Sequence, residues 1–585
     1  MSNTQRMPRL SASRVLAALL CTTVAACIFY SYSSSPEYSV TPVPVDNQRI
    51  QQQPQASPVV TATVHLPSLT PSQHKIKKFF AHWSASLHHA RPHINPLSVV
   101  SPAPNVNGQA LPPPRKPALS RLGLSPADGG SLAASHHSLL SLLQAPQARL
   151  PAFARALYTG TGVVMVAGGE YWGPTLIGLR MLRRSGCQLP AEIFVGAAAE
   201  YEPALCASVL PELGASCVVL PAFLSPPLSP DVTHYQLKSL AILFSSFRRV
   251  LYLDSDSIPL LDPTPLFEDP PFTTSGLVLW PDFWTATEDP VFYHNISGLG
   301  HFPPNLPPTS CEAGQILVDK AGHLDTLLLA AYYNIFGPDW FYPLLSQGAL
   351  GQGDKETFLA AAIVLGRPWT RVHKAVEVLG SRRAAGRGLG NASGMVQFHP
   401  GDDLAAQNAA AAGGEQDASS TGPGGAPKAA APQKPSRSQP AREPAEPANR
   451  QADSRLANKP ADKQAGKPAD KQPEELAALR WAGERRNTPE NKKKVRPMFI
   501  HANTPKMNAG HLVDEGDLVD GGKSVRLWGS RAEAITRFGE DVERVVWREL
   551  VYFGCALEKV VWEWRDRERL CERLRAHWRR VFDQG

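Results

Sequence analysis

The stretch that decides the fold is Val250-Leu251-Tyr252-Leu253-Asp254-Ser255-Asp256. Four apolar residues run without a break into two carboxylates that are two positions apart. A short, continuous apolar run bounded by polar residues is typical of a buried strand. The residues just before it, 234–247, have the apolar spacing of a helix. We therefore predict a helix, then a buried strand, then an acidic turn.

The same alternation of strand and helix extends in both directions. It predicts an α/β domain with a mostly parallel sheet covered by helices. Ligands of such sheets bind at the carboxyl ends of the strands. The other predicted elements are strands at 162–167, 191–196 and 217–220, a helix at 171–184, an ordered apolar run at 277–280, a helix at 324–336, an ordered segment at 355–365 and a strand at 498–500.

Asp254 and Asp256 are candidates for a divalent-metal site. Hard carboxylate oxygens suit Mn²⁺ or Mg²⁺, and an ion bound there would neutralise a diphosphate leaving group. A bare Asp-x-Asp arises by chance about once in 400 positions, so the pattern alone is weak. Its position directly after a predicted strand favours a functional role.

Further candidates follow the last predicted strand. His501 comes directly after 498–500, and a neutral imidazole is a good third ligand for Mn²⁺. Lys506 could pair with a phosphate. A lone histidine at a strand end is more often structural, so His501 counts as a ligand only if the acidic pair lies close to it.

Three polar motifs are compatible with ligand binding and also with simple turns. Glycines allow a backbone to approach a ligand closely, but Gly-x-Gly with Asp354 as the N-cap is also an ordinary helix start. Periodicity does not separate the two interpretations. The motifs are Gly351-Gln352-Gly353-Asp354-Lys355-Glu356, Trp280-Pro281-Asp282 and Glu312-Ala313-Gly314-Gln315.

The N-terminus predicts a membrane anchor. The uncharged run 15–32, which is 18 residues long, follows three arginines and is at the short end of what spans a bilayer. The cationic flank places the tail 1–14 in the cytosol and the rest of the chain in the lumen. The alternative is a signal peptide cleaved at Val24-Ala25-Ala26. Against it, the apolar run continues past that point.

Two tracts are too poor in large apolar residues to fold. Proline makes up 55 of the 585 residues, nearly twice the usual share of about 5%. Residues 33–150, rich in Pro, Ser, Gln and Ala, are predicted to be a largely unstructured stem with at most a short helix near 136–143. Residues 405–489 are predicted to be a disordered insertion. A single catalytic domain then comprises 151–404 and 490–585.

Charge and cysteine content exclude other classes. The net charge is +7, but the basic residues are scattered and no nucleic-acid motif accompanies them, so we expect no nucleic-acid partner. Eight cysteines are too few for a disulfide scaffold in a chain of this length. Cys555 and Cys571 could join the C-terminal helices, although the sequence alone does not give the pairing. Two sequons, at Asn295 and Asn391, are compatible with a lumenal location.

Taken together, these segments resemble the fungal Golgi α-mannosyltransferases of glycosyltransferase family 71, and within it the α-1,2-mannosyltransferase branch that acts in mannan synthesis. The matching segments follow the family's order over about 160–400 and 495–506. They are 179–184 (LRMLRR), 235–241 (YQLKSLA), 245–247 (SSF), 253–256 (LDSD), 279–284 (LWPDFW), 312–315 (EAGQ), 351–358 (GQGDKETF) and 501–503 (HAN).

The resemblance implies a GT-A-like, Rossmann-type fold and a single-pass type II location in the Golgi membrane with a lumenal catalytic domain. It also implies transfer with retention from GDP-mannose to a mannose-containing glycan or glycoprotein, with Mn²⁺ or another divalent cation, and membership of a transferase complex as an option. The implied metal ligands are Asp254, Asp256 and His501, the donor contacts are Lys238, Asp254, Gln315 and Lys506, and the catalytic positions are Asp254, Asp256, Asp282 and Asp354.

One departure and two alternatives stay open at this point. Ser257 stands where the family usually has Asn, which leaves the carboxylates in place but changes a local hydrogen bond. The generic metal and diphosphate motifs also fit a retaining transferase that uses UDP-galactose or UDP-N-acetylglucosamine. The second alternative is a non-catalytic, anchored subunit of a mannan-synthesising complex.

Overall fold

The central feature of the fold is a seven-stranded sheet. The acidic turn lies at the carboxyl end of the middle strand of this sheet. The computed structural model describes residues 66–107, 117–226, 232–380, 393–418, 494–514 and 516–583. In chain order its strands are β1 (Thr159–Ala167), β2 (Ala191–Val195), β3 (Ala215–Val219), β4 (Phe247–Leu253), β5 (Ser257–Pro259), β6 (Leu277–Thr285), β7 (Thr309–Asp319), β8 (Thr370–Arg371), β9 (Glu377–Leu379), β10 (Gly394–Phe398), β11 (Pro497–His501), β12 (Val519–Asp520) and β13 (Lys523–Ser524).

Helices cover the sheet and close the C-terminal end of the chain. In chain order they are α1 (Pro71–His89), α2 (Pro126–Leu143), α3 (Leu150–Leu157), α4 (Trp172–Arg184), α5 (Leu210–Glu212), α6 (Gln236–Phe244), α7 (Phe272–Ser275), α8 (Lys320–Ile335), α9 (Tyr342–Ser346), α10 (Thr357–Val364), α11 (Pro400–Ala418), α12 (Ala509–Asp514), α13 (Arg531–Phe538), α14 (Val542–Ala556) and α15 (Leu570–Val581).

Six of the seven strands in the large sheet point the same way. The strand order is β3-β2-β1-β4-β7-β6-β8. The first four are parallel neighbours, β7 runs antiparallel between β4 and β6, and β8 is parallel to β6. Parallel strands need crossover connections. α4 lies in the connection from β1 to its neighbour β2, and α6 lies in the connection from β3 to β4. The predicted mostly parallel α/β sheet is confirmed.

A smaller antiparallel sheet, β5-β11-β10-β9, brings the end of the chain to the acidic turn. β5 begins at Ser257, directly after the turn, and pairs with β11 so that Ser257 is in register with His501. On its other side β11 pairs with β10. The pairing of β5 with β11 therefore fixes His501 beside the acidic turn, although the two are distant in sequence.

The large sheet separates two hydrophobic cores, because successive strand residues point to opposite faces. On β1, Val163 and Met165 belong to one core and Val164 to the other. The first core includes Trp547 of α14 and Leu574 of α15. The second surrounds α8, which is buried on nearly all sides.

Two disulfides lie in the first half of the sheet and in the C-terminal helices. Cys206 pairs with Cys217 of β3, and Cys555 of α14 pairs with Cys571 of α15. The second bridge settles the pairing that the sequence left open.

The prediction of an unstructured stem over 33–150 is wrong where α1 lies. This helix buries Ile76, Phe80 and Leu87, and the Phe80 ring meets Phe244 of α6 edge-on, with ring centroids 4.7 Å apart. Apolar residues four and seven positions apart give one buried helical face. Composition masks this face because Pro, Ser and Gln surround it.

The stem prediction also fails at α2, which is longer than the short helix expected near its C-terminal end. His136 Nε2 lies 2.7 Å from the Tyr333 hydroxyl of α8, and the two rings stack. Burial lowers the pKa of His136 to about 3, so the imidazole packs as a neutral group. The folded unit thus includes both helices and begins well before residue 151.

α11 extends the folded chain beyond the predicted boundary at residue 404. Alanine is the strongest helix former, and the alanine-rich residues after 404 continue the helix to Ala418. Near its start, Asp403 accepts hydrogen bonds from the backbone N–H groups of His373 and Lys374, both at 2.8 Å. Residues 405–418 therefore do not belong to a disordered insertion.

Two predictions lie outside the described residues, namely the anchor at 15–32 with its tail and the insertion over 419–489. Within the part of the chain that the structure describes, no helix combines the length and the apolar character needed to cross a membrane.

Removing the Phe80 ring should destabilise the whole catalytic unit. We expect Phe80→Ala to lower the free energy of unfolding by about 3–5 kcal/mol, the usual cost of deleting a buried aromatic side chain, as measured by urea denaturation of the purified protein. The matched control is Lys78→Ala on the exposed face of the same helix, with an expected change within about 0.5 kcal/mol. Equal effects of the two changes would show that α1 is not part of the core.

The insertion should be dispensable for folding. The chain enters the insertion from the end of α11 and leaves it shortly before β11, and β10, which precedes α11, pairs with β11, so the strand pairing on either side does not depend on the insertion. Loop closure costs only about 0.6 kcal/mol for each doubling of loop length. We expect replacement of 419–489 by a short Gly-Ser linker to leave the melting temperature and Mn²⁺ affinity unchanged. Loss of either would mean that the insertion contributes contacts of its own.

Candidate active site

Backbone hydrogen bonds fix the acidic turn at both ends. The Asp254 N–H donates to the Gly314 carbonyl of β7 at 2.8 Å, and the Ser257 N–H donates to the Asp254 carbonyl at 3.0 Å. The Ala502 N–H, directly after β11, donates to the Asp256 carbonyl at 2.9 Å. The two sheets thus determine where both carboxylates lie.

The Asp254 carboxylate is held by α6 and β4. The Tyr252 hydroxyl donates to Oδ1 at 2.8 Å, and Lys238 Nζ lies 3.2 Å from Oδ2. Lys238 Nζ also donates to the Ala313 carbonyl at 2.7 Å and lies 3.0 Å from Oδ2 of Asp354. These three partners match the three hydrogens of the ammonium group. Lys238 therefore positions Asp254 and Asp354, and its predicted contact with donor phosphate stays a prediction.

Burial and charge act in opposite directions on Lys238 and on Asp354. Burial lowers the pKa of Lys238, but Asp254 and Asp354 outweigh burial and raise it. Burial raises the pKa of Asp354 to about 6 although Lys238 opposes the shift. Asp354 therefore gains a proton in mildly acidic solution.

The Asp256 carboxylate is almost completely buried, at 3% exposed, and contacts two cationic side chains. His501 Nε2 lies 3.1 Å from Oδ1, and Lys506 Nζ contacts Oδ2. Lys506 also lies over the Tyr171 ring, 5.5 Å from its centroid. The structure thus places His501 and Lys506 beside the acidic turn. For His501, closeness to the acidic pair is the condition for a role as metal ligand.

Mutual electrostatics set the protonation states here. Burial raises the pKa of Asp256, but Lys506 and His501 outweigh burial and hold it well below its usual range. Burial lowers the pKa of His501, but Glu312 and Asp256 outweigh burial and raise it well above 6.5. The metal-free site therefore holds a protonated imidazole between two carboxylates.

Three side chains fit a divalent ion. Asp254, Asp256 and His501 each offer one ligand atom, and these atoms lie within 4.8 Å of one another. Two carboxylates and an imidazole form a donor set that suits Mn²⁺. Each carboxylate also contacts an ammonium group, Lys238 at Asp254 and Lys506 at Asp256, so the site is built to hold positive charge.

The remaining predicted residues divide into two groups. The Gln315 amide joins the site, because Ser257 Oγ donates to Oε1 at 3.1 Å and Nε2 donates to Glu312 at 2.8 Å. Asp282 lies in a separate buried ion pair, with Oδ2 3.0 Å from Lys355 Nζ. The structure therefore does not place Asp282 among the metal-binding side chains.

Sequence reasoning gave no role to Glu312, Tyr252 or Lys355. Glu312 Oε1 lies 3.2 Å from His501 Nδ1, and Lys355 is the partner of Asp282. Glu312 and Lys355 lie in polar motifs whose sequence fits both turns and ligand contacts. Tyr252 lies in the apolar run that predicts β4. Glu312 is a buried carboxylate in β7, and buried charges are normally paired, but its strand also contains Thr309, Ser310 and Gln315, so the sequence alone does not mark the residue as buried.

Comparisons with known proteins relate this sequence to mannosyltransferases. The mannosyltransferase family model Mannosyl_trans3 matches residues 160–305 and 297–399. The chain is 33% identical to the alpha-1,2-mannosyltransferase MNN21 of Candida albicans over 72% of this chain and 62% of that protein. The chain belongs to the fungal mannosyltransferase family. Two further relatives are the alpha-1,2-mannosyltransferases MNN24 of Candida albicans, at 39% identity over 36% of this chain and 34% of that protein, and MNN5 of Saccharomyces cerevisiae, at 33% over 37% and 45%.

These matches cover only part of each relative, so they do not by themselves assign the activity of a relative to this chain. The chain spans 62% of the length of the first relative and less than half of the other two. Among solved structures, the glycosyltransferase GlyE of Streptococcus pneumoniae TIGR4 matches at 14% identity and a TM-score of 0.25, over 37% of this chain and 45% of that one. A TM-score this low establishes neither a common fold nor a common site.

Binding of Mn²⁺ to this family member should release a proton and should strengthen with pH. His501 is protonated in the metal-free site to a pH above 6.5, and an imidazole ligand must be deprotonated. We expect Mn²⁺ affinity to rise roughly tenfold per pH unit until the pH passes the pKa of His501, which is the behaviour of one displaced proton. Isothermal titration calorimetry in two buffers measures both effects. In His501→Ala the affinity should be lower and its rise with pH shallower; an unchanged slope would exclude His501 as the proton source.

Proposed function

We propose that this chain is a metal-dependent α-1,2-mannosyltransferase that transfers mannose from GDP-mannose to a mannose-containing glycan or glycoprotein. The observation that carries the proposal is the meeting of Asp254, Asp256 and His501 at the edge of the sheet in a chain of a mannosyltransferase family. The α-1,2 linkage is the activity that the names of the relatives give.

The residues around the trio have separate tasks in this reaction. Mn²⁺ bound to the trio would supply the charge that neutralises a diphosphate leaving group. Lys506 is half-buried and contacts Asp256 through its ammonium group, so it can turn to a phosphate oxygen when the ion replaces it at the carboxylate. Lys238 remains behind Asp254 and keeps its orientation.

Two further carboxylates, Asp354 and Asp282, are candidates for contacts with the acceptor. Asp354 lies behind Lys238 and changes its protonation near pH 6, and Asp282 keeps its ion pair with Lys355. Carboxylates of this kind accept hydrogen bonds from sugar hydroxyls. We propose retention by a same-face displacement: the bond from the sugar C1 to phosphate breaks as the acceptor oxygen bonds to C1, and the departing phosphate oxygen takes the acceptor proton.

The fold type and the location are parts of the same proposal. A mostly parallel sheet with one antiparallel strand beside the strand that ends in the acidic turn supports a GT-A-type domain. The apolar run 15–32 behind an arginine-rich tail supports a type II Golgi membrane protein, with membership of a transferase complex still to be tested. Protease protection of sealed Golgi vesicles tests the topology, since a lumenal catalytic domain resists digestion until detergent is added.

Removing either carboxylate should nearly abolish turnover. We expect Asp254→Ala and Asp256→Ala to lower transfer from GDP-mannose to a mannose oligosaccharide by about a hundredfold or more, the scale of losing one electrostatic transition-state contact. Chelation by EDTA should stop the reaction and Mn²⁺ should restore it. The matched control is Glu268→Ala, a carboxylate that is mostly exposed and pairs with Arg249.

The same assay separates the proposal from its alternatives. Turnover with UDP-galactose or UDP-N-acetylglucosamine but not GDP-mannose would replace the donor, and no turnover with any of the three would favour a non-catalytic subunit. NMR of the product gives both the linkage and the anomeric configuration. An inverted product would overturn the retaining mechanism alone.

A further inference from the structure

The motif Glu312-Ala313-Gly314-Gln315 packs against the candidate site: Glu312 and Gly314 contact the metal-binding trio, while Ala313 contacts Lys238 and Gln315 contacts Ser257. It lies in β7, where Gln315 is in register with Leu253, the residue just before the acidic turn. The Ala313 carbonyl accepts from Lys238 and the Gly314 carbonyl accepts from the Asp254 N–H. This segment of β7 therefore packs directly against the acidic turn and fixes its position.

Glu312 contacts the ring nitrogen of His501 that points away from the acidic turn. Glu312 Oε1 lies 3.2 Å from His501 Nδ1, while Nε2 of the same ring lies 3.1 Å from Asp256 Oδ1. The two ring nitrogens thus face two different carboxylates. In this structure the Nδ1 contact is an ion pair and not a hydrogen bond. A ring whose Nε2 turns to a metal ion beside Asp256 would present its Nδ1 hydrogen to Glu312.

Glu312 is itself held rigidly. Its carboxylate accepts from the Gly314 N–H, 3.0 Å from both oxygens, and from Gln315 Nε2 at 2.8 Å. The residue is 8% exposed. A buried carboxylate with this many donors has one position, and it fixes that of the imidazole.

Gly314 leaves the space that this pair needs. A Cβ at this residue would lie 2.8 Å from Glu312 Oε2 and 2.8 Å from His501 Nδ1, closer than van der Waals contact permits. Any side chain here would push the carboxylate and the imidazole apart. The glycine is therefore explained by the contact between Glu312 and His501.

We infer that Glu312 is the positioning residue for His501: it accepts the Nδ1 hydrogen, fixes the ring plane and directs Nε2 at the divalent ion. The inference rests on the proposed metal-dependent function and adds a carboxylate behind the third ligand. Metal-binding histidines commonly donate their second ring N–H to a carboxylate or carbonyl, and loss of that partner typically weakens metal affinity about 10–100-fold.

The test measures Mn²⁺ binding to the full chain without any sugar donor. We expect Glu312→Ala to weaken Mn²⁺ affinity by about 10–100-fold and to reduce the electron spin echo modulation from the imidazole nitrogen of bound Mn²⁺. Glu192→Gln is the matched control, because Glu192 is also a buried carboxylate in a strand but binds Ser246. The control should leave both the affinity and the nitrogen signal unchanged.

Two further variants keep the test decisive if Glu312→Ala does not fold. Glu312→Gln keeps the size and an acceptor oxygen, and we expect a loss of roughly fivefold, because a charge-assisted hydrogen bond is about twice as strong as a neutral one. Gly314→Ala should displace the ring and reduce the nitrogen signal. Affinity within about twofold of wild type and an unchanged nitrogen signal, in Glu312→Ala or in both of the other variants, would overturn the inference.

Failure of this inference is distinguishable from failure of the proposed function. A wild-type chain that binds no Mn²⁺ would remove the metal site and with it both proposals. A wild-type chain that binds Mn²⁺ through a nitrogen ligand, together with variants that do the same, would remove only the role of Glu312.

Discussion

Burial of the Asp256 carboxylate is the constraint on which the site depends. A charge removed from water is costly unless cations or hydrogen-bond donors compensate for it. Here His501 and Lys506 provide that compensation, and both come from a segment about 245 positions further along the chain. The acidic turn is therefore complete only when β11 has paired with β5, so formation of the site depends on the tertiary fold rather than on the turn itself.

The position of the insertion is explained by the same pairing. β10 and β11 are antiparallel neighbours, and the connection between them, which consists of α11 and the insertion, can carry a segment of nearly any length at small entropic cost. The third metal ligand can thus lie beyond the insertion without loss of precision. Its position is set by the register of β11 with β5, in which His501 is opposite Ser257.

The sequence predicted the parts of the structure that follow from local patterns. The parallel strands, the acidic turn and the return of β11 follow from apolar runs and their polar ends. It failed at α1 and α2, because a helix with one apolar stripe in a proline-rich tract resembles a linker in composition. It could not predict the contact between Glu312 and His501 from spacing, since that contact depends on the register of β11 with β5 and on the closeness permitted by Gly314. Side-chain partners across sheets require the register, which no single segment contains.

Charge balance connects the metal-free site to its proposed ligand. Above about pH 6, where Asp354 is ionised, the cluster has one more negative than positive charge. A divalent ion that displaces the His501 proton adds a net single positive charge and brings the cluster to neutrality. In the neutral cluster, Lys506 is then the group that attracts a diphosphate. Its ammonium group is available because the ion replaces it at Asp256. The groups counted are the carboxylates Asp254, Asp256, Glu312 and Asp354 and the cations Lys238, Lys506 and His501.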